Sequence, residues 1–291
     1  MPSKPRFLMR ILRHRLNRQP RVCPYCGGSA YLKLLRRKKI VLDILKCEAC
    51  RLVFRWPTDT LEESDAYYQD DYALECAQVR LPSREELQEL MEKNFAGTPL
   101  DLEAKIRVLK AIRPTARVLD YGCSWGYGTH QLAQHGYQAV GYEISKHRAR
   151  FAREKLRLET FDSFDQLKAL PPKTFDVIFS HHVLEHLTNL KDTLDLTARL
   201  LADGGLAFHV LPNFTGKTAL DGLWLQWIGE EHPLAPTIEF FALNLPKHGF
   251  AKVEFASSPF DDTLAAALRH QERQPLQTEG DELLVLALKQ D

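Results

Sequence analysis

From Arg117 onward, short apolar runs alternate with amphipathic stretches: RVLDYG, THQLAQHG, QAVGYE, HRARFAREKL, FDVIFS, LKDTLDLTARLL and LAFHVL follow one another. The apolar runs are the length of buried strands and the stretches between them repeat at a helical period, so the pattern predicts βαβ units and a parallel sheet. After residue 213 the rhythm breaks into an aromatic insertion carrying Phe214, Trp224 and Trp227. A helix near Phe240–His248 and two last strands, AKVEF and ELLVLAL, follow. Upstream, Ser83 and Glu86 form a capping box that opens a helix with Leu87, Leu90 and Met91 as its apolar stripe. A second helix is predicted from Asp101 through Leu102, Ile106 and Leu109 to Ile112, stopped by Pro114.

In front of this region stand two cysteine pairs, Cys23-Pro-Tyr-Cys26 and Cys47-Glu-Ala-Cys50, with the strand-like LKLLRR and KIVLDILKC between them. This C-x2-C, twenty residues, C-x2-C spacing is that of two thiolate knuckles completing a tetrahedral zinc site. Four protein ligands leave no position for water or substrate, so a structural zinc is expected in a ribbon spanning 22–58, one that unfolds by itself when a ligand is lost. A redox pair would need one C-x2-C at a helix start rather than two on hairpins. Cys76 and Cys123 stand alone, and the spacing fits a reducing compartment better than a secreted disulfide framework. No run of eighteen apolar residues and no secretory signal pattern occur, so a cytoplasmic location is expected.

The net charge of +1 hides an asymmetry: residues 1–55 carry 15 Lys/Arg against Asp43 and Glu48, leaving 24 Lys/Arg against 36 acids in the remainder. Residues 1–21 hold seven Lys/Arg and no acid, with Phe7, Leu8, Ile11, Leu12 and Leu16 at roughly helical spacing. Such a segment suits an anionic partner: a membrane surface, on which the protein would lie peripherally, an acidic carrier or a nucleic acid. It equally suits a tail that is disordered until bound, or one that folds back on its own acidic body. Lys33, Arg36, Arg37, Lys38 and Lys39 add charge to the ribbon, and residues 59–112 read as a connector with helices.

In RVLDYGCSWGYGTHQL an apolar strand enters a glycine-rich turn and then a helix, the context in which a ligand meets a helix N-terminus. Gly122 permits the tight turn, and Gly126 lets the backbone approach a ligand. Glu143 ends the next strand, twenty-one residues after Gly122, where its carboxylate can accept both hydrogen bonds of a ribose diol. Together they specify an adenosine-containing cofactor without separating a dinucleotide from S-adenosylmethionine.

Asp120-Tyr-Gly122-Cys123-Ser124-Trp125-Gly126 resembles the first motif of the class I S-adenosylmethionine-dependent methyltransferases, with Ser124 where that family has its central glycine. An acid ahead of the turn would repel a pyrophosphate and suits a cofactor carrying an ammonium and a sulfonium. FDVIFSHHVLEHL at 175–187 is similar to the family's fourth strand and Leu-Glu-His helix, and LLADGGLAFHVLPN at 200–213 to its fifth strand, so the resemblance covers roughly 100–260. It implies an α/β fold over 113–291, doubly wound and Rossmann-like, its mostly parallel seven-stranded sheet closing with an antiparallel last strand. It also implies methyl transfer from S-adenosylmethionine. Asp120, Gly122 and Gly126 would then line the methionyl end with Cys123 beside them, Glu143 would hold the ribose, Phe161 and Asp162 would flank the adenine, and Ser180 and His181 would face the sulfonium.

A hydroxyl acceptor needs a general base as well as alignment, and His181, His182, His186 and His232 are the candidates. His186, inside Leu184-Glu185-His186, is expected to orient its helix. His232 follows Glu230-Glu231 in the insertion, where the acceptor enters and where Glu231 can orient it; His182, just past the fourth strand, comes next. The stretch GEEHPLAPTIEFFALNLPKHGF resembles a segment of the zinc-ribbon sugar C-methyltransferases. The tyrosine those enzymes carry before the Glu-His pair is absent here, and the chain ends where they continue, so a hydroxyl of a saccharide or small metabolite is the expected acceptor. The alternative is an RNA or ribosome methyltransferase that grips nucleic acid with the basic ribbon. Against it, no aromatics interleave with residues 33–39, and SHHV stands where a base-methylating Asn/Asp-Pro-Pro-Tyr motif would be. A non-enzymatic ribbon adaptor is a third reading, disfavoured by the intact pocket acids and glycines.

Overall fold

The structure, a computed structural model, describes residues 3–71, 80–215, 223–270 and 276–290. Cys76 lies outside them, and of Trp224 only the main chain is described. Strands β1 (Leu32–Lys38), β2 (Leu42–Cys47) and β3 (Val53–Trp56) form the ribbon. The larger sheet holds β4 (Arg117–Tyr121), β5 (Gln138–Tyr142), β6 (Thr160–Phe161), β7 (Phe175–His181) and β8 (Leu201–Pro212). A two-residue β9 (Leu234–Ala235) leaves this domain to join the ribbon, while β10 (Phe250–Ser257) and β11 (Glu282–Lys289) return to the larger sheet.

The larger sheet has seven strands in the order β10-β11-β8-β7-β4-β5-β6. Its βα units pair in parallel, and β11 alone runs against its neighbours β8 and β10. This is the doubly wound sheet with an antiparallel last strand that the apolar rhythm and the resemblance led us to expect. The rhythm works because central strands are covered on both faces: in β7, Phe175, Val177, Ile178 and Phe179 are all buried. Helix Glu103–Ile112 buries Ile106, Val108 and Leu109 on one face, where Leu264 and Leu268 of helix Asp262–His270 join the same core. The capping box of Ser83 and Glu86 closes at the start of Arg84–Glu92. Strand order reverses between β4 and β7, so the loops after these two strands, at Gly122 and His182, border the crevice where such sheets bind ligands.

The ribbon is not a separate unit. Val53 and Phe54 of β3 pair with Ala235 and Leu234 of β9, and Arg55 N donates to Pro233 O at 2.9 Å. Cys23, Tyr25, Leu45, Phe54 and Trp56 belong to one apolar cluster with Leu234, Phe240 and Phe241, continuous with the core under β4 and β7. The Asn244 side chain donates to Cys50 O at 2.8 Å, tying a thiolate knuckle to helix Ile238–Asn244.

The basic N-terminus, weighed above as a tail disordered until bound, is instead the helix Ser3–Leu16 docked on the ribbon. Phe7 and Ile11 bury themselves against Leu42. Four of its cations are paired at home: Arg10 meets Asp59, Arg13 meets Glu63, and Arg15 and Arg21 converge with Arg37 of β1 on the buried Asp43. Arg15 and Arg21 also lie over the Trp56 ring, at 4.7 and 4.5 Å. Burial pushes the Asp43 carboxyl up, but the three arginines outweigh it and hold it below its ordinary value. No helix among the described residues is long and apolar enough to cross a membrane.

Asp43→Asn should therefore cost on the order of 2–3 kcal/mol in chemical denaturation, less than a fully buried pair because the arginines are part-exposed. A depressed carboxyl stabilises above its unfolded range and stops doing so as pH falls through the folded value. The difference between wild type and variant should accordingly narrow in acid. Equal stability of the two at neutral pH would contradict the role given to Asp43.

Candidate functional site

β4 ends in a turn that few residues can make. Gly122 has φ +83°, and a Cβ there would stand 2.5 Å from Val183 Cγ2. Ser124 occupies the left-handed region at φ +52°, where glycine is easiest, and its hydroxyl accepts from the buried Arg148 at 2.7 Å. That bond holds the serine in place of the family's glycine. Glu143, buried at the end of β5, accepts one backbone N–H on each oxygen, from Ser124 at 2.9 Å and Ser145 at 2.8 Å. Each oxygen keeps a free lone pair for a vicinal diol. Burial outweighs these donors and raises the Glu143 carboxyl above its ordinary value.

Two cavities meet at this turn, sharing Gly122, Ser124, His182 and His186. One of about 120 Å³ is walled by Glu143, Tyr142, Ile144, Phe164 and Tyr68. The other, about 720 Å³, opens past Tyr127, Lys105 and Leu100 to His181, Trp227, Glu231, His232 and Glu282. The connector closes over the smaller one: helix Leu61–Ala66 lines it, and the Gln69 side chain donates to Ile144 O at 2.8 Å.

Of the residues expected to hold a cofactor, Gly122, Glu143 and His181 line these cavities and the rest stand behind them. Asp120 is buried beneath the turn, accepting from Thr129 Oγ1 at 2.7 Å; burial and the Glu143 charge raise its carboxyl to about 7. Cys123 points under the sheet, its Sγ 2.7 Å from where a Cβ on Gly141 would be. Gly126, at φ +94°, is required by Leu158 and Ala152, which a Cβ would strike at 2.8 and 2.9 Å. Phe161 ends the short β6 and Asp162 follows it, paired with Arg153 at 2.8 Å. Ser180 turns its hydroxyl to His209 Nδ1 at 2.7 Å. Ile144 and Phe164 occupy the wall that Phe161 and Asp162 were expected to form.

The histidines converge on the larger cavity. His182 Nε2 donates to Glu282 Oε1 at 2.8 Å and His181 Nε2 to the same oxygen at 3.2 Å, while Lys105 stands 2.9 Å from Oε2. Burial acts against a charged His182, but the hydrogen bond to Glu282 and the charges of Glu185 and Glu282 outweigh it and raise its pKa. Burial lowers His181, His186 and His232 to about 4. The expected pair of His232 with Glu231 does not form: Glu231 is exposed, and its carbonyl accepts from His186 Nδ1 at 2.5 Å. His232 stacks near His186, ring centres 4.7 Å apart. Glu282 and Lys105 were not singled out from the sequence.

The four ribbon cysteines fit zinc. Cys23 and Cys50 sulfurs lie 3.5 Å apart and those of Cys26 and Cys47 3.6 Å, far from a disulfide and close to the roughly 3.8 Å edge of a tetrahedron with Zn–S bonds of about 2.3 Å.

Comparison with known proteins gives the following. The family described as a methyltransferase domain matches residues 84–254. A ubiquinone biosynthesis O-methyltransferase of Paracidovorax citrulli is 28% identical over 204 residues, 62% of this chain and 79% of that protein. Another from Idiomarina loihiensis is 28% identical, with 40% of this chain and 49% of that protein covered. An S-adenosyl-L-methionine-dependent Diels-Alderase of Talaromyces variabilis is 27% identical over 36% of this chain and 39% of its own length. The chain thus spans less than two thirds of the last two. Among solved structures, an S-adenosylmethionine-dependent methyltransferase from Archaeoglobus fulgidus superposes with a TM-score of 0.51 at 19% identity, covering 69% of this chain and 99% of that one. That likeness carries the fold alone.

Glu143→Ala should weaken S-adenosylmethionine binding by about 2 kcal/mol, roughly thirtyfold, since it removes a charged acceptor from a buried cleft. Calorimetry giving an unchanged affinity would mean that the ribose is held elsewhere.

Proposed function

Because the chain belongs to the methyltransferase domain family, and is with it an S-adenosylmethionine-dependent methyltransferase, we propose that it methylates a hydroxyl of a small metabolite or saccharide. S-adenosylmethionine, when bound, supplies a methyl group made electrophilic by its sulfonium. Glu143 would hold its ribose, with Gly122 and Ser124 against the methionyl end and Ile144 and Phe164 beside the adenine. The chain's remaining task is to align an acceptor oxygen and take its proton.

One observation carries the choice of a hydroxyl: His182, where the two cavities meet, has its Nε2–H fixed on Glu282 at 2.8 Å. This leaves Nδ1 as the basic nitrogen, and the raised proton affinity suits a general base near neutral pH. Glu282 is the orienting carboxylate, in the role the sequence suggested for Glu231. Trp227, Tyr127 and Tyr67 offer flat surfaces in the larger cavity for a sugar face or a planar ring. Relatives named O-methyltransferases support oxygen as the acceptor atom. The nucleic-acid reading loses support, because eight of the fifteen cations in residues 1–55 are ion-paired within the chain. We assign a structural zinc to Cys23, Cys26, Cys47 and Cys50.

His182→Ala should lower turnover on the order of a hundredfold or more while leaving cofactor affinity and melting temperature near those of wild type. The assay is methyl transfer from labelled cofactor to a panel of hydroxylated metabolites and saccharides, with RNA as a separate arm. Full turnover in the variant would remove His182 as base; transfer to RNA alone would remove the small-molecule acceptor. Elemental analysis of protein prepared without chelator should find zinc, and Cys47→Ser should lose about one equivalent.

A further inference from the structure

Two clusters of metal-capable side chains border the larger cavity: His181, His182 and Glu282, and Glu185, His186 and His232. They differ in how their charge is met. In the first, both imidazoles donate to Glu282 Oε1 and Lys105 stands by Oε2, so groups of this chain already neutralise the carboxylate. In the second, Glu185 is fully buried, and neither of its oxygens has a hydrogen-bond partner among the described residues. An ionised carboxylate buried without donor or cation is among the costliest arrangements a fold can hold.

His182 Nδ1, at 3.7 Å, lies beyond hydrogen-bond reach of the Glu185 carboxylate, and His186 has no proton to offer on the side that faces it. His186 Nδ1 lies against the Glu231 carbonyl, and a carbonyl only accepts, so Nδ1 carries the proton and Nε2 the lone pair. It is Nε2 that faces Glu185 Oε1, at 3.7 Å. His232 stands beside His186, ring centres 4.7 Å apart. One ligand atom from each of Glu185, His186 and His232 lies within 4.8 Å of the other two. Imidazoles whose second N–H is held by a backbone carbonyl are oriented as metal ligands are.

We infer that Glu185, His186 and His232 bind a divalent transition-metal ion at the acceptor side of the cavity, distinct from the four-cysteine site. Bonds of about 2.0–2.2 Å set the ligand atoms of a tetrahedral ion roughly 3.4 Å apart, so the 3.7 Å between Glu185 and His186 closes with a small shift. Two imidazoles and one carboxylate select ions of the zinc or iron(II) kind. Three protein ligands leave positions open, and both histidines line the larger cavity. Only the occupant of those positions, an acceptor hydroxyl oxygen, rests on the function proposed above. His182 Nδ1, also 3.7 Å from Glu185 Oε1, borders the set on the side where that hydroxyl's proton leaves.

The test titrates full-length protein, its ribbon zinc retained, with Co²⁺, followed by visible absorption and elemental analysis. We expect one equivalent of cobalt beyond the ribbon zinc, with the bands of a nitrogen-oxygen site and no thiolate charge-transfer band. Glu185→Gln and His232→Ala should each weaken uptake at least tenfold. Glu185→Gln, a neutral isostere in the same buried place, should melt no lower than metal-free wild type, so weakened uptake there is not unfolding. No uptake beyond the ribbon site up to millimolar cobalt, or uptake unchanged in both variants, would overturn the inference. Uptake without methylated product would leave the metal site standing and remove the hydroxyl reading; product without uptake would do the reverse.

Discussion

Two residue pairs, Val53 with Ala235 and Phe54 with Leu234, join the cysteine ribbon to the methyltransferase domain, and the acceptor side of the site hangs on that junction. β9 has only two residues, too few to persist alone, so its position is set by the edge of β3 that receives it. His232 stands two residues before β9, in a turn closed by Gly229 N on His232 O. The Lys38 side chain, at the far end of the ribbon hairpin, donates to Gln226 O and Ile228 O and fixes the same turn from the other side. The ribbon thus braces the turn that carries Trp227, Glu231 and His232 into the larger cavity, without lining that cavity itself.

The division of labour follows. The doubly wound sheet supplies the smaller cavity from its carboxyl edge, through Gly122, Ser124 and Glu143. The inserted segment and the antiparallel β11 supply one side of the larger cavity, and the connector between ribbon and sheet covers the smaller one. The basic front serves this construction: its arginines bind Asp43, Asp59 and Glu63, stitching the N-terminal helix to the ribbon and the start of the connector.

The fold was legible because a parallel sheet covered on both faces writes itself as apolar runs between helical stretches, and because glycines and caps mark its turns. The place of Glu143 at the smaller cavity was legible for the same reason, lying one βα unit beyond the glycine turn. Glu282 was not. It reaches the site because β11 runs antiparallel, with Glu282 opposite Pro212 at the end of β8, so the first residue of the last strand lies at the carboxyl edge of the parallel ones. Phe161 and Asp162 do not line the smaller cavity: β6 is two residues long and Asp162 is paired with Arg153. Asp120, Cys123 and Gly126 belong to a motif read as cofactor-facing, yet their demands come from Thr129, Gly141, and Leu158 with Ala152 packed behind the turn. Spacing tells which residues share a turn and does not tell which side of it they face.

Hydrogen exchange before and after removal of the cysteine-bound metal tests the coupling of ribbon and pocket most directly. Loss of the metal should raise exchange in residues 228–235 together with 22–58, while β4, β7 and β8 keep their protection. Exchange rising in 22–58 alone, with 228–235 as protected as before, would contradict the account.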